Sequence, residues 1–396
     1  MPSSHPLLAF LIAGLGAIGP FSIDAYLPAF PAMAESLGAT QLEVQQTLTA
    51  YLLAFACMVL WHGALADRYG RRVVLLVSTA VFALSSAWCA SAPSVEWLWV
   101  GRVLQGLCGG AGMVVGRAVI RDLHEGAHAQ RQMSRVMVIF ALAPAIAPMM
   151  GGWMLDAAGW RSIFVFLTVF GATLFVLCWR YLPETLAPEA RQPLHPAGLL
   201  RAYGAVLTHP AFMLLGVAVS LNFAGFFLYV MAAPVFVMTH LGLGTGGFGW
   251  LFVPAVGGMM LGSFLSGRVA ESWPPRRTIA LGFAIMVGAA TLNVGLSAMR
   301  PPGLPWSMLA IPPFTFGMAL AMPSMSLMGL DFFPQRRGLA SSCQSFLQMC
   351  MNALAAGVLA PMLWDSTLTL ALGMCGLTSL ALVALSVLDI GARRQR

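Results

Sequence analysis

Two charged side chains lie inside long apolar stretches of this sequence. Asp24 is the only acid well inside such a stretch, and Arg102 is the only arginine more than two residues from the end of one. A charged group at the centre of a lipid bilayer costs roughly 2.5–3.5 kcal/mol on insertion scales, so each needs a role or a partner. Burial favours the neutral form of a carboxyl, which suits Asp24 to binding and releasing a proton. A carboxylate that caps the bend before Pro28, near the outer end of the stretch, is the alternative interpretation.

Arg102 keeps its positive charge under ordinary conditions, so it must be paired or face water. Gln105 lies about one turn further along the same helical face, where it could hydrogen-bond Arg102 or a bound substrate. A structural Arg102, bonded to backbone carbonyls or neighbouring helices, is the alternative. The residues alone leave both interpretations open.

The motifs of common enzyme and motor sites are missing from the sequence. It contains no lysine, no GxxxxGK(S/T) phosphate loop, no HExxH and no GxSxG. Its seven cysteines form no CxxC pair and lie in apolar runs, which indicates packing rather than disulfides or metal ligands. The seven histidines lie in loops or near the ends of apolar runs, where solvated side chains are usual. We therefore expect no enzyme, no catalytic residues, no metal site and no cofactor.

The composition indicates which elements must position Asp24 and Arg102. Of 396 residues, 59% are hydrophobic and 9% are charged, whereas soluble domains carry about 25% charged residues. Twelve apolar runs have about the 20 residues that a membrane-spanning helix needs. They cover roughly 7–30, 44–62, 73–90, 97–119, 133–155, 162–182, 210–238, 247–267, 278–298, 305–329, 338–361 and 367–388. The sequence therefore predicts an all-α membrane protein with twelve transmembrane helices, and it excludes a cytosolic enzyme and a secreted disulfide scaffold.

The basic residues predict how these helices are oriented. All 21 are arginines and the net charge is +7, but they lie in short junctions between spans rather than in a patch for nucleic acid. With the N-terminus inside, 18 of them fall on the cytoplasmic side and only Arg161 and Arg300 on the other. Because basic loops stay in the cytoplasm, we expect both termini there and no nucleic acid as partner.

A polar, proline-containing stretch after the sixth span divides the chain. We expect an N-terminal six-helix half at 1–183, a cytoplasmic linker at 184–208 and a C-terminal six-helix half at 209–396. A pattern of glycine, acid and paired arginines that begins at Gly63 recurs loosely at Gly267, 204 residues later. Two repeated halves are typical of transporters whose binding site lies at their interface near the membrane midplane.

Four segments carry a resemblance to a known family. Residues 63–72 (GALADRYGRR) resemble the loop between helices two and three of the major facilitator superfamily, and residues 102–110 (RVLQGLCGG) resemble its span-four motif. Residues 144–152 (PAIAPMMGG) resemble the motif of its antiporters, and residues 22–31 (SIDAYLPAFP) are similar to span one of the Bcr/CflA drug-efflux subfamily. The resemblance implies the major facilitator fold and a proton-coupled exporter of small, largely apolar drugs. It also implies that Arg102 faces a cavity and tunes proton binding by Asp24.

The 63–72 segment also has a mechanical interpretation as a latch that holds one conformation. Gly63 would let helices two and eleven approach closely, and Asp67 would meet the positive N-terminal end of a neighbouring helix. The arginines of the segment would pair with acids such as Asp122 or simply mark the cytoplasmic side. The predicted latch residues are Gly63, Asp67, Arg68, Gly70 and Arg71.

The 144–152 segment would bend the fifth span and pack it tightly. Pro144 and Pro148 each remove a backbone donor, and Gly151 and Gly152 allow close approach of a neighbouring helix. A generic kink explains the prolines equally well, so only the resemblance favours antiport.

Aromatic and amide residues inside several spans are the candidate substrate-binding residues. They are Tyr26, Tyr51, Phe55, Gln105, Asn222, Phe226, Tyr229, Gln344 and Asn352. Aromatic faces accept many apolar shapes, and amides add a few directional hydrogen bonds. A residue of this kind taken alone is more often a packing residue than part of a binding site.

Together these features predict a proton-coupled efflux antiporter of the bacterial inner membrane, which exports small, largely apolar drugs or toxic metabolites by alternating access. Its partners would be the drug, protons and membrane lipid; it would act as a monomer, with the proton gradient in place of a cofactor. A proton-coupled or passive transporter of an endogenous metabolite is the alternative, although a sugar importer would need more polar groups in its cavity. An intramembrane enzyme or receptor would need buried catalytic groups or a soluble domain, and the sequence offers neither.

Overall fold

The computed structural model describes the backbone of residues 6–124 and 126–394. Side chains are described for these residues except 6, 7, 9, 126–131, 134, 135, 137–141 and 389–394. Five of the arginines that predict the orientation therefore lie outside the described side chains: Arg131, Arg135, Arg393, Arg394 and Arg396. The outer ends of the two predicted halves, 1–5 and 395–396, also lie outside the described residues.

The described part of the chain is helical and contains no strand. The first half of the chain forms α1 (Pro6–Asp24), α2 (Phe30–Leu37), α3 (Gln41–Tyr69), α4 (Arg71–Ala90), α5 (Val95–Gly109), α6 (Ala111–Leu123), α7 (Gly126–Ala158) and α8 (Arg161–Tyr181). The second half forms α9 (Pro196–Leu207), α10 (Pro210–Ala233), α11 (Phe248–Val269), α12 (Pro275–Met299), α13 (Trp306–Leu309), α14 (Ile311–Asp331), α15 (Arg337–Leu354), α16 (Ala360–Leu363) and α17 (Thr367–Arg394). Two π-helical segments, Pro234–His240 and Ala355–Leu359, follow α10 and α15.

Eleven helical segments among the described residues are long and apolar enough to cross a membrane. They include two interrupted ones, Phe10–Leu37, which joins α1 to α2, and Val95–Leu123, which joins α5 to α6. Helix α7 covers the predicted fifth span at 133–155 but is only partly described, and it is not among the eleven. The prediction of an all-α, multi-pass membrane protein is confirmed, whereas the number twelve stays a prediction.

The chain folds into two compact units, Met1–His195 and Pro196–Arg396. In the N-terminal unit, α1 packs along α7, α3 packs along α5, and α4 packs against both α5 and α8. In the C-terminal unit, α14 packs against both α11 and α12, and α10 packs against α15 and α17. The division falls inside the predicted linker at 184–208, and this stretch contains helix α9.

The first span is interrupted where its prolines require it. Helix α1 ends at Asp24, and a short 3₁₀ turn at Leu27–Ala29 precedes α2. Pro28 lies in that turn, because proline has no backbone donor and disfavours a helical conformation in the residue before it. The interruption places the Asp24 carboxyl at a helix end instead of in mid-helix.

Candidate functional site

Asp24 is a buried carboxyl at the interruption of the first span. The residue is 5% exposed, and no described residue forms a hydrogen bond or an ion pair with its side chain. An unpaired carboxylate is expensive in an apolar interior, so this position suits a carboxyl that carries its proton. The alternative interpretation, a carboxylate that caps the bend before Pro28, has no hydrogen bond to support it.

Arg102 lies in α5, 0% exposed, between two tyrosine rings. Its guanidinium carbon lies 4.4 Å from the ring centroid of Tyr26 and 4.4 Å from that of Tyr51. Nη2 donates to the backbone carbonyl of Ser22 at 2.9 Å, and Nη1 donates to Oε1 of Gln105 at 2.6 Å. Desolvated cation–π contacts of this kind are worth about 1–2 kcal/mol each, and the charge-assisted hydrogen bonds add to them. These contacts compensate for the burial of a permanent charge.

Gln105 links this cluster of contacts around Arg102 to a neighbouring helix. Its Nε2 donates to Oγ of Ser86 in α4 at 2.7 Å. On the opposite side of Arg102, the hydroxyl of Tyr26 shares a hydrogen bond of 3.3 Å with Oγ1 of Thr47 in α3. The prediction that Gln105 hydrogen-bonds Arg102 or a substrate is confirmed for Arg102. These hydrogen bonds thus join the first span to α3, α4 and α5.

Arg102 and Asp24 are linked through the backbone and form no ion pair. Arg102 binds the carbonyl of Ser22, two residues before Asp24 in the same span. This bond to a carbonyl of a neighbouring helix agrees with the structural interpretation of Arg102. The Nε of Arg102 has no hydrogen-bond partner among the described residues, so one donor of the guanidinium is unsatisfied. A direct effect of Arg102 on proton binding by Asp24 stays a prediction.

Helix α7 brings the predicted antiporter motif against the interruption that holds Asp24. Pro144 and Pro148 lie inside α7, and Gly151 and Gly152 are buried in the same helix. A Cβ added at Gly151 would overlap the backbone carbonyl of Ala25, the residue directly after Asp24. Only a residue without a side chain allows α7 to approach the first span this closely. The motif therefore fixes the backbone beside Asp24.

The 63–72 segment is tied to the end of α6. Arg71 forms an ion pair with Asp67 one turn earlier, and its Nε donates to Oδ2 of Asp122 at 3.2 Å. The hydroxyl of Thr185 donates to the same oxygen of Asp122 at 2.9 Å. The predicted pairing of an arginine of this segment with Asp122 is confirmed, and the latch role itself stays a prediction.

Gly70 separates α3 from α4 and lies beside the side chain of Glu184, which follows α8. Its φ of 101° lies in the left-handed region that favours glycine. Oε1 of Glu184 accepts a hydrogen bond from the backbone nitrogen of Arg71 at 2.9 Å, and a Cβ at Gly70 would overlap Oε2 of Glu184. A carboxylate at the first turn of α4 is stabilised by the helix dipole. Glu184 thus caps a helix that starts 113 residues earlier.

The remaining two predicted latch residues make looser contacts within the N-terminal unit. A Cβ at Gly63 would lie 3.9 Å from Val114, an ordinary contact. Arg68 is exposed, and its guanidinium carbon lies 5.4 Å from the ring centroid of Tyr69. Their proposed roles stay predictions.

Three candidate substrate residues, Asn222, Phe226 and Tyr229, are buried on one face of α10. The Tyr229 hydroxyl accepts a hydrogen bond of 2.7 Å from Nδ2 of Asn293 in α12. Nδ2 of Asn222 lies 3.9 Å from the sulfur of Met325, and its Oδ1 has no partner among the described residues. Tyr229 is therefore held in place, whereas Asn222 keeps an unused acceptor.

The two candidates in α15, Gln344 and Asn352, also differ in whether their side-chain amides have hydrogen-bond partners. Gln344 is paired on both ends of its amide with Ser326 of α14: Oε1 accepts from the hydroxyl at 3.0 Å and Nε2 donates to the carbonyl at 3.1 Å. Oδ1 of Asn352 is buried and has no partner among the described residues. Asn352, like Asn222, can still accept a hydrogen bond.

The structure brings four of the nine candidate substrate residues together in the N-terminal unit. Tyr26, Tyr51 and Gln105 surround Arg102, and the ring of Phe55 lies 6.1 Å from that of Tyr51. In the C-terminal unit, Asn222, Tyr229 and Gln344 contact Met325, Asn293 and Ser326, respectively, and do not share a partner. As substrate-binding residues, all nine stay predictions.

His62 is buried, although its position in the sequence predicts a solvated side chain. His62 of α3 is 1% exposed, whereas the histidines were expected to be solvated. Its spacing was the available signal, because Phe55 and His62 are seven residues apart and so share one helical face. Asn293 and Glu184 were also missed, since their partners lie on helices far away in the sequence.

The fold and the four motifs agree with one family of transporters. Residues 10–356 match the model of the Major Facilitator Superfamily. The chain belongs to the major facilitator superfamily.

Individual proteins and structures are similar to this chain over most of its length. An uncharacterized MFS-type transporter, YdgK of Bacillus subtilis, is 31% identical over 88% of this chain and 87% of its own. A bicyclomycin resistance protein homolog of Haemophilus influenzae is 27% identical, covering 89% and 88%. The crystal structure of a bacterial homolog of the human lysosomal transporter Spinster has a TM-score of 0.70 at 17% identity, covering 98% of both chains.

Several of the relatives within the superfamily are named for drug resistance. Besides the bicyclomycin resistance protein homolog, they include proteins named for multidrug resistance and for chloramphenicol resistance. The resemblance of this facilitator to the Bcr/CflA type is thus confirmed. The protein is a multi-pass membrane transporter of small molecules and not an enzyme.

Proposed function

We propose that this facilitator is a proton-coupled antiporter that exports small, largely apolar drugs or toxic metabolites across the bacterial inner membrane by alternating access. The observation that carries the proposal is Asp24, a buried carboxyl with no partner among the described residues, at the interruption of the first span. Export is supported by relatives named for resistance to bicyclomycin and chloramphenicol. Proton coupling is the step that the proposal adds.

The proposed architecture has twelve transmembrane helices in two six-helix halves. Helix α7 would add the twelfth to the eleven described spans. Both termini would be cytoplasmic, because the arginines concentrate in the junctions on that side. The protein would work as a monomer in contact with lipid, and the proton gradient would supply its energy in place of a cofactor.

Asp24 would exchange its proton for drug occupancy during the cycle. A buried carboxylate without a partner is unstable, so Asp24 holds its proton until water or a polar group of the drug reaches it. When drug occupies the cavity, the carboxyl releases the proton to water. After the drug has left on the outer side, a proton from that side binds Asp24 again. Proton and drug therefore compete for the protein, which is the basis of antiport.

Arg102 would act as a fixed positive charge beside this exchange. Its contacts with Tyr26, Tyr51, Ser22 and Gln105 hold the guanidinium in one place. Arg102 is bound to the carbonyl of Ser22, two residues before Asp24, and in a low dielectric a positive group would lower the cost of a charge that comes near it during the cycle.

The proton gradient is large enough for useful export. Each proton that enters supplies about 2.3 kcal/mol per 100 mV of membrane potential and about 1.4 kcal/mol per pH unit. At about 100 mV and one pH unit, these sum to roughly 3.7 kcal/mol. One proton per neutral drug molecule therefore sustains a drug gradient of several hundred-fold.

The proposal is tested by drug susceptibility of an efflux-deficient bacterium with and without the protein. Cationic, neutral and anionic compounds are compared, and Asp24→Asn, expressed to the same level in the membrane, is the matched control. We expect the wild type to raise resistance to several small apolar compounds and Asp24→Asn to raise it to none. Resistance to no compound, together with uptake or release of a metabolite, would favour the alternative of a metabolite transporter.

A further inference from the structure

His62 is a buried polar ring without a hydrogen bond. It lies in α3, and neither ring nitrogen has a hydrogen-bond partner among the described residues. The backbone carbonyl of Leu107 in α5 lies beside the ring but outside hydrogen-bond geometry. A neutral imidazole presents one donor and one acceptor, and burying both unpaired costs a few kcal/mol. Such a residue needs a function or a transient partner.

The surroundings of the ring are apolar and uncharged. Gly110 lies against it, since a Cβ there would be 3.5 Å from Cε1 of His62. Within the N-terminal unit, α2, α4, α5 and α6 pack most extensively on α3, and a Cβ at Gly19 of α1 would lie 3.7 Å from Phe55 of α3. The titratable and charged groups on these elements include Glu35 of α2, Arg71 of α4, Arg102 and Cys108 of α5, Arg117 and Asp122 of α6, and on α3 itself Cys57 and Asp67. None of these forms a hydrogen bond or an ion pair with His62.

Helix α3 places His62 between two parts of the N-terminal unit that carry charge. Tyr51, which covers Arg102, precedes His62 by 11 residues, or about 16 Å along a helix. Asp67, which pairs with Arg71, follows His62 by five residues, or about 7 Å. A proton that leaves Asp24 for the end of α3 at Asp67 would therefore pass the level of His62.

We propose that His62 is a second proton-binding group, which relays protons between Asp24 and the Asp67 end of the N-terminal unit. The inference rests on the proposed proton coupling. The Asp24 O–H bond breaks and the proton moves through water to the free ring nitrogen of His62, forming an imidazolium. The ring then gives up a proton to water at the Asp67 end and is neutral again. Because the apolar surroundings disfavour the imidazolium, the proton does not remain, as a relay requires.

The test compares two transport modes in proteoliposomes loaded with a drug that the wild type exports. The first mode is export driven by a pH gradient, which moves protons. The second is drug exchange at equal pH on both sides, which moves no net proton. The variants are His62→Gln and His62→Asn, which keep hydrogen-bonding groups but cannot titrate, and the control is His195→Gln in the exposed linker.

We expect exchange to be unchanged in all variants and driven export to fall only in the His62 variants. Proton transfer by a positioned side chain contributes about 100-fold or more in rate, so the fall is at least about tenfold. The driven rate of these variants also responds to pH differently from that of the wild type, because glutamine and asparagine cannot bind or release a proton.

The other outcomes separate the relay from the proposed function. Driven export at the wild-type rate in both His62 variants overturns the relay. Loss of exchange as well as driven export in both variants shows a structural residue and also overturns it. A wild type that exchanges drug but ignores the pH gradient contradicts the proposed proton coupling itself, and with it the relay.

Discussion

Gly151→Ala tests the close approach of α7 to the interruption of the first span. The new methyl group overlaps the Ala25 carbonyl beside Asp24. In an open helix, alanine is more stable than glycine by about 1 kcal/mol, because glycine loses more backbone freedom on folding. Overpacking of a tight contact costs about 1–3 kcal/mol. An alanine at Gly151 should therefore lower the free energy of unfolding by about 1–3 kcal/mol relative to an alanine at an open glycine.

Gly288→Ala in α12 is the matched control, because no atom lies within 4 Å of a Cβ at that position. Thermal unfolding of both variants in the same detergent measures the difference, and drug export in vesicles measures its effect on function. We expect Gly288→Ala to be as stable as the wild type or more so. Gly151→Ala should unfold at lower temperature and lose export, because α7 must move away from the backbone beside Asp24. Equal stability and equal export of the two variants would show that α7 and Ala25 are not in close contact.

Three further substitutions in the N-terminal unit provide two tests. Arg102→Lys keeps the charge but cannot donate to Ser22 and Gln105 in the geometry of a guanidinium fork. We expect a loss of about 1.5–3 kcal/mol of stability for the hydrogen bond to a charged group, seen in thermal unfolding; an unchanged unfolding temperature would show that the fork is unimportant. Gly70→Ala and Gly38→Ala both place a side chain at positive φ, a cost of about 1–2 kcal/mol each. Only the methyl at 70 meets the Glu184 carboxylate, so that variant should be the less stable, and equal unfolding temperatures would contradict the contact.

The spans and the buried charges follow from residue type and spacing. A run of about 20 apolar residues has few alternatives to a membrane helix, because every backbone group must be satisfied within the segment. Asp24 and Arg102 stand out for the same reason, since any charge in such a run is costly. The contact of Arg102 with Gln105 was also predictable, because both lie on one helix at a spacing of three residues.

Partners from other helices could not be predicted in this way. Arg102 is held by Tyr26 and Tyr51, which precede it by 76 and 51 residues, and only helix packing brings them together. Gly151 gave no hint that its neighbour is the carbonyl of Ala25. Glu184 reads as a linker residue, yet it caps α4. Such contacts depend on the three-dimensional arrangement of helices, which local patterns do not encode.

His62 shows a different reason for a missed residue. Histidine near the end of a span is usually solvated, and the sequence contains no partner that would mark it as buried. Its burial follows from the packing of α3 against Gly110, which lies at the junction of α5 and α6. A polar side chain that shares a face with Phe55 was the only available signal, and it was not sufficient.

Proton release on drug binding tests the role of Asp24 most directly. Drug is added to detergent-solubilised protein in weakly buffered solution, the released protons are measured, and drug binding is recorded separately. The variants are Asp24→Asn and, as matched control, Asp365→Asn at an exposed position. We predict that the wild type and Asp365→Asn release protons, that Asp24→Asn binds drug without release, and that the affinity of the wild type for drug weakens as pH falls. Equal release from Asp24→Asn, or no release from a wild type that binds drug, would contradict the proposal that Asp24 carries the exchanged proton.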